Sequence, residues 1–138
     1  MRITILGSIA FADRLIKVAD EVKKIGHEPL MHEKMYLIGR GELNEVPDGI
    51  EHAEVKRKYD YIKWWHNLIV SGDAILVCNY DKKGIKNYVG GNNLIEMASA
   101  HINDKKIFLL NPIPDMTYTD EIKAMVDVVL EGDLTKMA

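Results

Sequence analysis

Gly72-Asp73-Ala74-Ile75-Leu76-Val77-Cys78-Asn79-Tyr80-Asp81, then after a polar stretch Gly90-Gly91-Asn92-Asn93-Leu94-Ile95-Glu96-Met97-Ala98, then Lys106-Ile107-Phe108-Leu109-Leu110-Asn111-Pro112, is the segment whose reading decides the fold. Ala74 to Cys78 and Ile107 to Leu110 are unbroken apolar runs of strand length, as parallel strands covered on both faces require. The stretch between them has room for one helix, which would make a right-handed crossover. The fold class predicted is therefore α/β with a parallel sheet. In an open sheet of that kind ligands bind beyond the carboxyl ends of the strands. The loop from Asn79 to Asn93 is expected to line a site, with Glu96 entering it from the first turn of the helix.

Upstream, Arg2 to Leu6 reads as a first strand ending at Gly7-Ser8. A helix from about Ala10 to Ile25 follows, with Leu15, Val18, Ala19, Val22 and Ile25 at helical spacing. Gly26 stops it at a C′ position, and His27 to Met31 forms a short second strand. Backbone N–H groups at Gly7-Ser8, with the Ser8 hydroxyl, suit a phosphate or a sugar oxygen. A simple tight turn explains the same pair, and one Gly-Ser is not the G-x-G-x-x-G dinucleotide fingerprint.

Between Glu33 and Asp48 the pattern gives way to turn formers, among them Gly39, Gly41, Asn44, Pro47 and Asp48. The 33–48 segment reads as a loop, either a lid or partner-facing element or a plain insertion. From about Ile50 to Val70 an amphipathic helix is predicted, with Val55, Tyr59, Ile62, Leu68 and Ile69 near one face. The adjacent Trp64 and Trp65 point about 100° apart on a helix, so one is expected inward and the other toward a partner or ligand. His66, near the end of this helix, is a candidate proton donor, or a surface histidine that favours the helix C-terminus.

Composition narrows the classes. The chain has 138 residues, 47% hydrophobic and 28% charged, and a net charge of −3. That fits one α/β domain spanning 1–138. It gives no electrostatic case for nucleic-acid duplex or membrane-surface binding. Ile3 to Leu6 is far too short for a signal-peptide core, and no stretch is long enough to span a membrane, so a cytoplasmic location is expected. Cys78 is the single cysteine, and the histidines at 27, 32, 52, 66 and 101 are scattered. No metal or other cofactor is expected.

Glu96 has a structural reading as well as a chemical one. Asn93-x-x-Glu96 fits a capping box, with Asn93 as N-cap and Glu96 as the reciprocal acid. Against that, Gly90-Gly91 removes side chains where a ligand would approach the backbone, and a helix N-terminus favours an ionised carboxylate. An ionised carboxylate at the ligand end of a parallel sheet is a candidate nucleophile or oxocarbenium stabiliser.

Ile3-Thr-Ile-Leu-Gly-Ser8, Ser71-Gly-Asp-Ala-Ile-Leu-Val77, the run from Gly90 through Glu96 to His101, and Lys105-Lys-Ile-Phe-Leu-Leu110 occur in that order. Together they resemble the nucleoside 2-deoxyribosyltransferase family, which includes the 2′-deoxynucleoside 5′-monophosphate N-glycosidases. The resemblance implies a flavodoxin-like three-layer fold with a parallel sheet of about five strands. It also implies attack by Glu96 on the anomeric carbon of a 2-deoxyribosyl group, with transfer to another base or to water. Gly7 and Ser8 match the turn that meets the sugar or its 5′ substituent. Where the monophosphate hydrolases continue with an arginine and more glycine, this chain has Ile9, Ala10 and Phe11.

His66 stands near the position where the transferases commonly carry an aspartate that handles a proton on the leaving base. Gly90 stands where they tend to have an acidic residue. His66 is accordingly assigned to the leaving base, Asn79 or Asn93 to the sugar or base, and Asp81 is a nearby polar replacement. Phe11, Gly90 and Gly91 complete the substrate-binding set. The resemblance implies a small-molecule nucleoside or nucleotide as ligand, and a homo-oligomer for which Trp64-Trp65 offers an aromatic anchor.

Two alternatives stand beside this reading. One is a phosphoribohydrolase acting on a nucleoside monophosphate, since Gly-Gly-Asn-Asn-x-x-Glu is similar to that family's Pro-Gly-Gly-x-Gly-Thr-x-x-Glu motif without its proline and third glycine. The other is a non-catalytic nucleotide-binding or sensing module. Beyond Pro112, Thr119 or Asp120 is expected to cap a short helix through Met125, and Val126 to Leu130 to form a last edge strand.

Overall fold

A computed structural model describes residues 1–42 and 60–137. Five strands, β1 (Arg2–Gly7), β2 (Glu28–Leu30), β3 (Ala74–Cys78), β4 (Lys106–Leu109) and β5 (Val128–Val129), form one sheet in the order β2-β1-β3-β4-β5. Every pairing is parallel. This is the flavodoxin-like three-layer α/β fold, with α1 (Ala12–Lys24), α2 (Glu33–Gly39), α3 (Tyr61–Ser71), α4 (Gly91–Ile102) and α5 (Thr119–Met125) around the sheet.

The apolar runs in β3 and β4 are continuous because their side chains serve two cores. Ala74, Leu76, Cys78, Phe108 and Leu110 join Ile3, Ile5 and the buried stripe of α1 on one face. Ile75, Val77, Ile107 and Leu109 join Leu6, Ile69 of α3, Met97 and Ala100 of α4, and Ile122 of α5 on the other. All five residues of β3 are buried. A truncation such as Leu76→Ala therefore leaves a cavity on a fully enclosed face, at a cost of about 2–5 kcal/mol.

The N-terminal unit follows the sequence pattern with small shifts. A 3-10 turn, Ile9–Phe11, precedes α1, and Gly26 closes the helix at a φ of 95°. Ile25, expected on the buried face, is the C-cap residue and 41% exposed. The expectation of a loop from Glu33 is corrected: Glu33–Gly39 is helical, and His32 caps it by accepting a hydrogen bond on Nδ1 from the Lys34 amide at 2.9 Å. Gly39, a turn former by type, sits inside this helix. A Cβ there would lie 2.8 Å from the Ala12 carbonyl oxygen, so glycine is what lets α2 press against α1.

In α3, Ile69 is buried, whereas Ile62, expected on the same face, is 54% exposed. The predicted start of this helix near Ile50, with Val55 and Tyr59, lies outside the described residues, as does the 33–48 segment beyond Glu42. The C-terminal strand is shorter than expected, Val128–Val129, and a closing 3-10 turn buries Leu134 and Met137 against the α1 side. Among the described residues no helix is long and apolar enough to cross a membrane.

Candidate active site

The strand order reverses between β1 and β3, because the chain leaves β1 toward β2 and leaves β3 toward β4. Such a switch point opens a crevice at the carboxyl ends of the two strands. A cavity of about 990 Å3 lies there, walled by the Gly7-Ser8 turn, the start of α2, the inner face of α3, the exit of β3 and the first three turns of α4.

At the floor, Gly7 is required by contact. A Cβ would meet Leu15 Cδ2 at 2.9 Å and the Cys78 carbonyl oxygen at 3.2 Å. Ser8 caps the 3-10 turn, its Oγ accepting from the Ala10 amide at 3.3 Å. Phe11 packs edge-on against Tyr80 at 5.4 Å between centroids, and Arg14 lies 4.7 Å over the Tyr80 ring. Burial pushes the Tyr80 phenol up to about 12, so it lines the cavity as a neutral hydroxyl. Cys78 also lines the cavity, but burial pushes its thiol far above the ordinary range, which removes it as a nucleophile.

The loop leaving β3 is tied at every step. Lys82 and Ile85 exchange two backbone hydrogen bonds of 3.1 and 2.9 Å around Lys83 and Gly84, whose φ values of 54° and 72° make a type I′ hairpin turn. Asp81 Oδ1 accepts from the Asn87 amide at 2.8 Å, and the Tyr88 amide donates to the Tyr80 carbonyl at 3.1 Å. Asn79 is buried and bonds the carbonyls of Asn87, Asn111 and Pro112 through Nδ2 and the Asn111 amide through Oδ1. Tyr118 donates to the Val89 carbonyl at 2.5 Å and secures the far end from outside the cavity.

Helix α4 starts one turn earlier than a capping box would have it. Gly90 is the N-cap, without a side-chain cap bond, and Asn93 is the third helical residue. Asn93 Nδ2 instead donates to Glu96 Oε1 at 3.3 Å. The expected capping box is therefore absent, and Glu96 enters from the second turn, beyond the first turn where the helix dipole acts most strongly. Next along the same face, Ser99 Oγ meets His66 Nδ1 of α3 at 2.5 Å. A ring protonated on both nitrogens donates Nδ1–H to Ser99 Oγ and leaves Nε2–H for a ligand.

The cavity thus brings together Gly7, Ser8, Phe11, His66, Gly90, Gly91, Asn93 and Glu96. Asn79 and Asp81, assigned to substrate by sequence reasoning, are not among its lining residues. Both side chains are spent on the backbone of the β3 exit. Trp65 and Trp64 separate as expected for neighbours on a helix: Trp65 is half-buried and lines the cavity, while Trp64 is exposed, its ring 3.9 Å from that of His32.

Several lining residues were not anticipated. Lys82 Nζ donates to Ser8 Oγ at 2.7 Å across the cavity floor, and Lys34 Nζ donates to Tyr61 at 2.7 Å to join α2 to α3. Tyr88 and Ser99 also line it. The sequence held little signal for Lys82, since Lys83-Gly84 lacks the Asn-Gly or Asp-Gly form that marks an I′ turn. Among the described residues no cluster of three or more His, Cys, Asp or Glu could hold a metal ion. Comparison with protein-family models, with curated proteins and with solved structures gave no match to the chain.

Proposed function

We propose that this protein cleaves the N-glycosidic bond of a 2′-deoxynucleoside or its 5′-monophosphate, passing the 2-deoxyribosyl group to water or to a second base. The observation that carries the reading is that Glu96 and His66 line one cavity at the switch point, with His66 bound through Ser99 to the helix that bears Glu96. The absence of the capping box removes the structural role that competed for Glu96. The burial of Cys78 leaves Glu96 as the better nucleophile in the cavity.

In this reaction a Glu96 carboxylate oxygen attacks C1′ as the C1′–N bond breaks, forming a glycosyl ester. His66, protonated on both ring nitrogens with Nδ1–H held by Ser99 Oγ, gives its Nε2 proton to the departing base nitrogen and becomes neutral. Water or an acceptor base, deprotonated by the now neutral imidazole side, then attacks C1′ and returns the carboxylate. Splitting the displacement in two retains configuration at C1′. Asn93, bonded to Glu96 Oε1, orients the carboxylate. The homo-oligomer implied by the family resemblance and a cytoplasmic location belong to the same reading.

The test is base release by chromatography from a panel of 2′-deoxynucleosides and their monophosphates, with and without an acceptor base. Wild type is expected to release base, and Glu96→Gln to lower the rate at least about 10³-fold with its melting temperature kept. Nucleoside binding by calorimetry with no release from any substrate would overturn the enzymatic reading and leave a sensing module.

A further inference from the structure

The floor of the cavity is built to donate hydrogen bonds. Ser8 Oγ accepts twice, from the Ala10 amide at 3.3 Å and from Lys82 Nζ at 2.7 Å, and its own proton is committed to no protein acceptor among the described residues. An ammonium has three donors, and Ser8 takes one of those on Lys82. Lys82 is half-buried and makes no ion pair among the described residues. Its neighbour Lys83 lines the same wall, whereas the lining carboxylates among the described residues are Asp60, which pairs with Lys63 at 3.5 Å, and Glu96, which is bonded by Asn93.

Lys82 is also held in place before any ligand arrives. The I′ turn at Lys83-Gly84, the Asp81 bond to the Asn87 amide and the Tyr88 bond to the Tyr80 carbonyl fix its backbone. A cation set by a stiff hairpin beside a hydroxyl with a spare proton is a preorganised oxyanion receptor.

Resting on the N-glycosidic reading above, we infer that Lys82 and Ser8 hold the phosphate of a phosphorylated substrate, so that the protein selects a nucleoside 5′-monophosphate over the free nucleoside. The cation comes from the loop after β3, where the turn after β1 supplies only Ile9, Ala10 and Phe11. The phosphate oxygens take the Ser8 proton and the two remaining Lys82 protons, and the sugar is directed toward Glu96.

The experiment is calorimetric titration of wild type, Lys82→Met and Lys82→Arg with a 2′-deoxynucleoside, its 5′-monophosphate and 2-deoxyribose 5-phosphate. Wild type is expected to prefer the monophosphate about 10- to 100-fold. Lys82→Met should bring that ratio near one, and Lys82→Arg should keep most of it. Equal wild-type affinity for nucleoside and monophosphate overturns the inference, and base release, if seen, leaves the N-glycosidic reading standing. Conversely, 2-deoxyribose 5-phosphate binding that Lys82→Met abolishes, with no affinity for any nucleoside or nucleotide, upholds the phosphate subsite and removes the nucleoside. Unchanged ratios in a Lys82→Met protein that melts like wild type would also overturn it.

Discussion

Ser99 Oγ and His66 Nδ1 lie 2.5 Å apart across the seam between α4 and α3, one helical step past Glu96. This bond ties the imidazole to the helix that carries Glu96.

Ser99 is a positioning residue in this arrangement. Ser99→Ala is expected to lower kcat for base release about tenfold with KM little changed, a fraction of the roughly 10²- to 10⁴-fold that a placed proton donor supplies. Ser99→Thr, which keeps the hydroxyl, should recover most of it. Steady-state kinetics on the three proteins decides the matter, and an unchanged kcat in Ser99→Ala would show that the imidazole needs no such anchor.

Asn79 is expected to govern stability. Its amide has two protons for three carbonyls at 3.1 to 3.2 Å, while Oδ1 takes the Asn111 amide at 2.9 Å. Asn79→Ala strands these buried groups and should cost about 2–4 kcal/mol in urea unfolding. A loss under about 1 kcal/mol would mean that water replaces the side chain.

His32 favours the fold less as pH falls. Burial, followed by the charge of Lys34, lowers its pKa from 6.5 against an opposing effect of Glu33. The unfolded chain then binds more protons below 6.5, so this contribution to stability is whole above that pH and is lost as pH falls. His27, lowered by burial and the N-terminal charge, acts in the same direction. His32→Asn keeps a side-chain cap on α2 without a titrating group. Its melting temperature should fall less steeply between pH 6.5 and 5 than that of wild type. Parallel curves would assign the slope elsewhere.

Thr4 is fully buried in β1, and its hydroxyl has no hydrogen-bond partner among the described residues. Thr4→Val, nearly the same shape, removes that cost and should raise stability by about 1–2 kcal/mol in the same urea titration. Destabilisation would reveal a partner for the hydroxyl in solution.

The layers of this fold were legible because the core writes itself into composition. β3 and β4 are apolar on both faces, and the sheet hides Ile75 and Leu76 together by turning them into different cores. Helix α2 was hidden because its cap is an imidazole, outside the usual capping side chains, and because Gly39 serves close packing. The capping-box reading failed by register: Gly90 starts α4 without help from a side chain, which shifts Asn93 inside the helix. Polar residue type alone could not separate Asn79, turned to the backbone, from Lys82, turned to the cavity. That difference is set by the I′ hairpin between them and Tyr88.

The margins of the sheet carry a consequence for self-association. β2 has three residues, with Pro29 offering no amide proton, and β5 has two. A strand from another molecule would find at most two or three rungs to pair with, too few to repay its loss of freedom. Among the described residues the sheet thus offers edge-to-edge growth no long edge, and aggregation is expected to begin from opened molecules that uncover β3.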